Sequence, residues 1–210
     1  MNGQHDIKLD PAALLAPVPV AMISCRDDRE DAVPNIITLA WIGVASSEPP
    51  TLSAAIRPDR YSYELIRRSG EFVVNLVDAN LSESCDFCGV RSGREIDKFK
   101  ACGLHAIPAE GLQFAPAIAE SPLSLGCQVT QVVQVGSHDL FLGRVVSVRA
   151  HASLMDDAGR LRMDLAQLIT YVHGEYFSVG KRQGFFGYSV ARSKVLAKRM
   201  PGYRRQRTFE

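Results

Sequence analysis

The sequence has little of what would place it in a membrane, on nucleic acid or in a disulfide scaffold. No apolar run approaches the roughly 20 residues that a helix needs to cross a bilayer. The opening stretch, residues 1–17, has no basic segment followed by a long apolar core, so a secretory leader is not expected. Charge of one sign is absent too: 24 Lys and Arg stand against 23 Asp and Glu, a formal net charge of +1. The chain as a whole therefore has no electrostatic pull on nucleic acid. Five cysteines, an odd number, argue against a disulfide framework and suit a reducing, cytoplasmic setting. No Gly-x-Gly-x-x-Gly opens a strand–turn–helix unit. Gly180, Gly184 and Gly187 have the wrong spacing, which excludes a separate Rossmann site for a dinucleotide.

What is present is an ordinary folded chain of 210 residues, 46% hydrophobic and 22% charged. No repeat or Pro/Gly/Ser-rich linker divides it, so residues 1–190 read as one domain. Residues 191–210 read as a basic C-terminal helix or tail. From Val190 onward Arg192, Lys194, Lys198, Arg199, Arg204, Arg205 and Arg207 face only Glu210, and a solvated terminal helix is the plainer explanation.

Most segments have strand character. Residues 20–25 are apolar behind Pro17 and Pro19, and 36–45 form one long run closed by Ser46-Ser47-Glu48-Pro49-Pro50. Residues 51–57, 71–76 and 176–179 follow the same pattern. Residues 125–135 and 138–150 are β-branched around Gly136-Ser137, a hairpin signal. Residues 60–69 read as a helix stopped by Gly70, with shorter helices at 80–88, 94–100 and 190–200. Many strands with scattered helices favour a closed or nearly closed barrel over a doubly wound sheet.

Three stretches carry chemistry. In the strand Asn35–Trp41, Asn35 and Thr38 offer donors and acceptors suited to the edge of a heterocycle. Trp41, the only tryptophan, offers a flat apolar surface. A core strand with a satisfied Asn and a packed Trp is the alternative. The turn Arg57-Pro58-Asp59-Arg60-Tyr61-Ser62 lies where a strand ends and a helix starts. Helix-start N–H groups, two guanidinium groups and a hydroxyl there suit a phosphate. Alternatively, Asp59 or Ser62 merely caps the helix. The stretch from Cys88 to Phe99 puts glycines beside Arg91, Ser92, Arg94 and Lys98, as in a polar flap or a plain surface loop.

Taken in order, these stretches resemble the flavin reductase-like family of FMN-binding split-barrel proteins, flavoredoxins among them. The resemblance covers Val18 to Tyr188. It rests on Asn-x-x-Thr-x-Ala-Trp, the Pro-Pro break, Arg-x-x-Arg-x-Ser, Phe-Val-Val-Asn-Leu, Ser-Gly-Arg…Asp-Lys-Phe and Gly-x-His…Gly. It implies a mainly β fold, an FMN-binding split β-barrel with a few peripheral helices. It also implies a homodimer with one FMN (flavin mononucleotide) per subunit near the interface, and a small-molecule or protein electron acceptor. Asn35, Thr38, Leu39, Ala40 and Trp41 would border the ring and ribityl chain, and Arg57, Arg60, Tyr61 and Ser62 would hold the phosphate. Ser92 and Lys98 would come from the flap, Lys98 from either subunit. His138 would be the catalytic hairpin histidine. Relatives that use nicotinamide often read Gly-Asp-His there, where this chain has Ser137. The expected activity is an NAD(P)H-dependent flavin reductase, with a flavoredoxin-like electron carrier of tightly held FMN as the alternative.

The cysteines offer a rival reading. Cys85-x-x-Cys88 followed by Cys102-x-x-His105 has the spacing of a structural zinc site, and a further alternative is a non-catalytic protein that binds FMN or is stabilised by that metal. The flap motif spans the same residues, and the expectation is no metal. A Cys85–Cys88 redox dithiol lacks a thioredoxin-like setting. A His138–Asp139 dyad is disfavoured because neighbours on a strand face opposite ways. His151 and His173 read as ordinary polar residues.

Overall fold

A computed structural model describes residues 6–203. Arg204, Arg205, Arg207 and Glu210 of the basic tail, and the first five residues of the expected leader-free start, lie outside the described residues. Two compact units are present, one ending at Val179 and the other starting at Gly180.

The first unit carries β1 (Val18–Pro19), β2 (Ala21–Cys25), β3 (Asn35–Leu39), β4 (Ile42–Ser47), β5 (Pro50–Ile56), α1 (Tyr61–Ser69) and β6 (Glu71–Leu76). It continues through α2 (Ser82–Val90), α3 (Lys98–Ala101), β7 (Ala106–Ile107), β8 (Ala117–Ile118), β9 (Leu123–Val135), β10 (His138–Ala150), β11 (Ile169–Val172) and β12 (Glu175–Ser178). Seven of these strands form one antiparallel sheet in the order β3-β2-β6-β9-β10-β5-β4. Two small sheets, β1-β11-β12 and β7-β8, flank it. The architecture is the mainly β one expected, with helices at the periphery.

The sheet's two edges, β3 and β4, are consecutive in the chain. The run expected as a single strand over 36–45 is therefore broken at Ala40 and Trp41. The chain turns there from one edge to the other, and the Trp41 carbonyl accepts from the Ala55 amide at 2.9 Å. A register shift between Val44 and Ser46 bulges β4 where it pairs with β5. The sheet curls around Ile23, Ile56, Phe72, Val74 and Phe141, all nearly inaccessible. Gly143 lets Phe72 pack against β10, since a Cβ there would lie 2.6 Å from Phe72 Cζ. A second core forms where Met22 and Ile36, on the other sheet face, meet α2 and Phe99 of α3.

Polar ties fix the loops. The buried Glu71 carboxylate accepts from the amides of Gln113, Phe114 and Ala115 at 2.7–3.1 Å. Asn75 Nδ2 donates to Met22 O and Ser24 Oγ, and its Oδ1 accepts from the Ile118 amide and Ser124 Oγ. Both buried side chains thus meet partners, as burial requires.

In the second unit, helix α4 (Ser193–Arg199) matches the expected terminal helix. The Arg199 guanidinium lies 3.9 Å over the Phe185 ring, and Arg182 Nη2 donates to the Arg199 carbonyl at 2.7 Å.

Candidate functional site

Two adjoining cavities lie at the junction of β3, α1 and α2. The larger, about 460 Å³, is lined by Thr38, Leu39, Ala40 and Trp41 after β3, by Arg57 and Arg60, and by His138. Ala55, Asp86, Tyr171, Gly174 and Tyr176 complete its walls. The smaller, about 110 Å³, is bounded by Asn35, Arg60, Tyr61, Ser62, Ser92, Gly93 and Lys98. Arg60, Gly89 and Val90 belong to both. The residues expected to border the flavin, and His138, therefore line these two cavities.

Their environments differ. Trp41 is 54% exposed, so it is a cleft wall and not a packed core residue. Its ring meets the His138 imidazole edge-on at 4.8 Å between centroids. Ser137 Oγ lies 3.0 Å from His138 Nδ1, so the serine and the tryptophan together orient that ring. Asp139 points the other way and accepts from the Tyr63 hydroxyl at 2.6 Å, as strand alternation requires.

At the phosphate-like end, α1 begins at Tyr61 after an extended Arg60, and no side chain caps its first turn. Neither Asp59 nor Ser62 caps the helix. Asp59 pairs with Arg57 at 3.3 Å and more loosely with Arg60 at 3.9 Å, exposed contacts that solvent screens. Ser62 is buried and its Oγ accepts from Asn35 Nδ2 at 2.8 Å. The Tyr63 amide is taken by the Arg60 carbonyl at 3.0 Å, which leaves the Tyr61 and Ser62 amides, with the two exposed guanidinium groups, to meet an anion.

Lys98 is only 3% exposed. Its ammonium donates to the carbonyls of Ile36 (2.6 Å) and Cys88 (2.8 Å), which moors α3 to β3 and α2 within one chain. Burial holds its pKa below the usual lysine range, partly offset by the neighbouring Cys88 sulfur. The Thr38 hydroxyl donates to the Cys85 carbonyl, joining β3 to α2 directly.

The residues that sequence reading missed are Asp86, Gly89, Gly93, Tyr171 and Tyr176. Tyr176 donates to Asp86 Oδ1 at 3.2 Å, and burial raises its pKa. The signal for the glycines was steric. A Cβ on Gly93 would fall 2.0 Å from Asn35 Oδ1, and one on Gly89 would fall 3.3 Å from Thr38 Cβ. The zinc-like set does not assemble. Cys88 and Cys102 approach each other, but the His105 ring engages Glu120 at 2.6 Å. Among the described residues no three His, Cys, Asp or Glu side chains converge as metal ligands.

A mainly antiparallel split barrel with this cleft defines a flavin reductase-like protein. The family model described as Flavin reductase like domain matches residues 14–180, and the chain belongs to that family. The matched segment ends beside the boundary between the two compact units. An uncharacterized protein of Aeropyrum pernix is 41% identical over 131 residues, which are 62% of this chain and 49% of that one. The chain spans about half to two thirds of the length of the first curated relatives it matches. Among solved structures, flavoredoxin of Desulfovibrio vulgaris (Miyazaki F) superposes with a TM-score of 0.80 at 26% identity, over 86% of this chain and 97% of that one. Flavoredoxin of Methanosarcina acetivorans gives 0.78 at 23% identity, over 89% and 100%.

Proposed function

We propose that this chain binds FMN and acts as an NAD(P)H-dependent oxidoreductase that passes electrons to a small-molecule or protein acceptor. The observation that carries this reading is the meeting of the two cavities at Arg60, beside the uncapped first turn of α1. A flat ring system with a phosphate-ended side chain divides in the same way, into one broad plane and one compact anion. The residues present fit it. Asn35, Thr38, Leu39, Ala40 and Trp41 would follow the ring and ribityl chain. Arg57, Arg60, the α1 amides and the Ser62 hydroxyl would hold the phosphate. Ser92 would close the small cavity from the flap, and Lys98 would set a positive charge beneath it. His138, held by Ser137 against Trp41, stands at the rim where a nicotinamide or acceptor would approach, the catalytic position.

Bound flavin supplies hydride and electron transfer, while the chain supplies orientation and electrostatics. With no Rossmann unit in the sequence, a nicotinamide would stack directly over the ring. One substitution favours a second reading, a flavoredoxin-like carrier without nicotinamide activity: Ser137 stands where nicotinamide-using relatives often carry an acid.

We further propose a homodimer. An apolar groove formed by β4, β5, β9 and β10, lined by Val44, Leu52, Leu125, Val145 and Val148, is a surface that a second copy would cover. Five free thiols support a cytoplasmic placement, and no helix among the described residues is long and apolar enough to cross a membrane.

The purified protein should be yellow, or become so with added FMN. Anaerobic mixing with NADH or NADPH should then bleach the flavin band rapidly. Bleaching by neither nucleotide would favour the carrier, and a colourless protein that takes up no FMN would refute both.

A further inference from the structure

Flavin binding leaves one pair of reactive groups unused. Cys88, near the end of α2, and Cys102, immediately after α3, place their Sγ atoms 3.9 Å apart. That is contact without a bond, and a disulfide at about 2.05 Å needs the sulfurs to close by roughly 2 Å. The two thiols differ. Cys88 is buried, and burial pushes it up to about 12, whereas Cys102 is partly open to solvent. The Lys98 ammonium, bonded to the Cys88 carbonyl, adds positive charge beside both sulfurs. Cys25 and Cys127 instead each donate to a backbone carbonyl.

We propose that Cys88 and Cys102 form a peroxide-sensitive dithiol whose disulfide staples the loop between them. That loop carries Ser92, Gly93 and Lys98, the outer wall of the small polar cavity. In the first step the Cys102 thiolate attacks a peroxide oxygen, the O–O bond breaks, and Cys102 becomes a sulfenic acid as water or an alcohol leaves. In the second, the Cys88 sulfur attacks the Cys102 sulfur, the S–O bond breaks and a second water departs with the Cys88 proton. Two thiols lose two electrons, and one peroxide gains them. The bond then ties the end of α2 to the end of α3 and removes conformational freedom from residues 89–101.

The test uses the full chain treated with stoichiometric hydrogen peroxide, alkylated and digested without reduction. One Cys88–Cys102 disulfide should appear, and dithiothreitol should reverse it. Amide hydrogen exchange across 89–101 should slow several-fold in the oxidised form. Cys102→Ser should form no disulfide, and Cys88→Ala should leave a Cys102 sulfenic acid that dimedone labels. A Cys85–Cys88 linkage, sulfinate at Cys102 with Cys88 still a thiol, no loss of thiols, or unchanged exchange in the loop would each overturn the proposal. None of these measurements needs bound flavin, so the outcome is independent of the flavin reading.

Discussion

Asn35 Nδ2 donates to Ser62 Oγ at 2.8 Å, tying the start of β3 to the first turn of α1. The bond occupies the serine oxygen as an acceptor, and the hydroxyl also lies within hydrogen-bonding reach of the buried Cys25 sulfur, with which a phosphate would compete for its proton. If that proton meets a phosphate, Ser62→Ala and Arg57→Ala should each weaken FMN binding by about 1–3 kcal/mol. Asn35→Ala should weaken it less, because Asn35 acts through Ser62. Fluorescence titration with FMN measures all three, and unchanged affinity in Ser62→Ala and Arg57→Ala together would remove the phosphate assignment.

Trp41 reports on the larger cavity directly. It is the only tryptophan and lines that cavity, so adding FMN should quench the protein's indole emission in a saturable way. Emission that stays constant while FMN binds would place the ring elsewhere.

Much of the fold was legible in the sequence. The hairpin of β9 and β10 around Gly136-Ser137, β6 and α1 fall within a residue or two of their expected bounds. The break at Ala40–Trp41 was not legible, because an apolar run gives no sign that its two halves belong to opposite edges of one sheet. β11 was missed because it pairs with the short β1 outside the main sheet. In the site, the Arg57–Ser62 turn was readable from residue type alone. Lys98 was expected at a flap, and its burial depends on two carbonyls, of Ile36 and Cys88, that only the fold brings together. The Cys102-x-x-His105 spacing does not bring the imidazole to the cysteines, because Glu120, 15 residues after His105, takes it.

Two positions test the scaffold. Glu71→Ala strands the amides of Gln113, Phe114 and Ala115 and should cost about 3 kcal/mol. Gly143→Ala drives a methyl group into the Phe72 ring and should cost about 2 kcal/mol. Urea unfolding measures both, and a loss below 0.5 kcal/mol, on the order of an ordinary surface substitution, would contradict the packing described.

The thiols give a pH dependence with a definite sign. Burial raises Cys25, Cys88 and Cys127 from 9.0 to about 12, and Cys85 to about 11. Between those limits the unfolded chain has lost protons that the folded chain keeps, so stability falls as pH rises. The slope is about 1.4 kcal/mol per pH unit for each thiol. Denaturation midpoints should be insensitive to these groups below pH 9 and decline above it. In the native protein at pH 8, iodoacetamide should modify Cys102 well before the other four, and equal labelling of all five would contradict their burial.

The bulge between Val44 and Ser46 bears on how these molecules behave when concentrated. A regular, exposed outer strand offers its unpaired amides and carbonyls to any passing chain. Here the distortion breaks the even spacing of those groups along β4, while at the opposite edge α2 is bonded to β3 through Thr38. Neither margin of the sheet presents a straight template, which disfavours strand-by-strand aggregation.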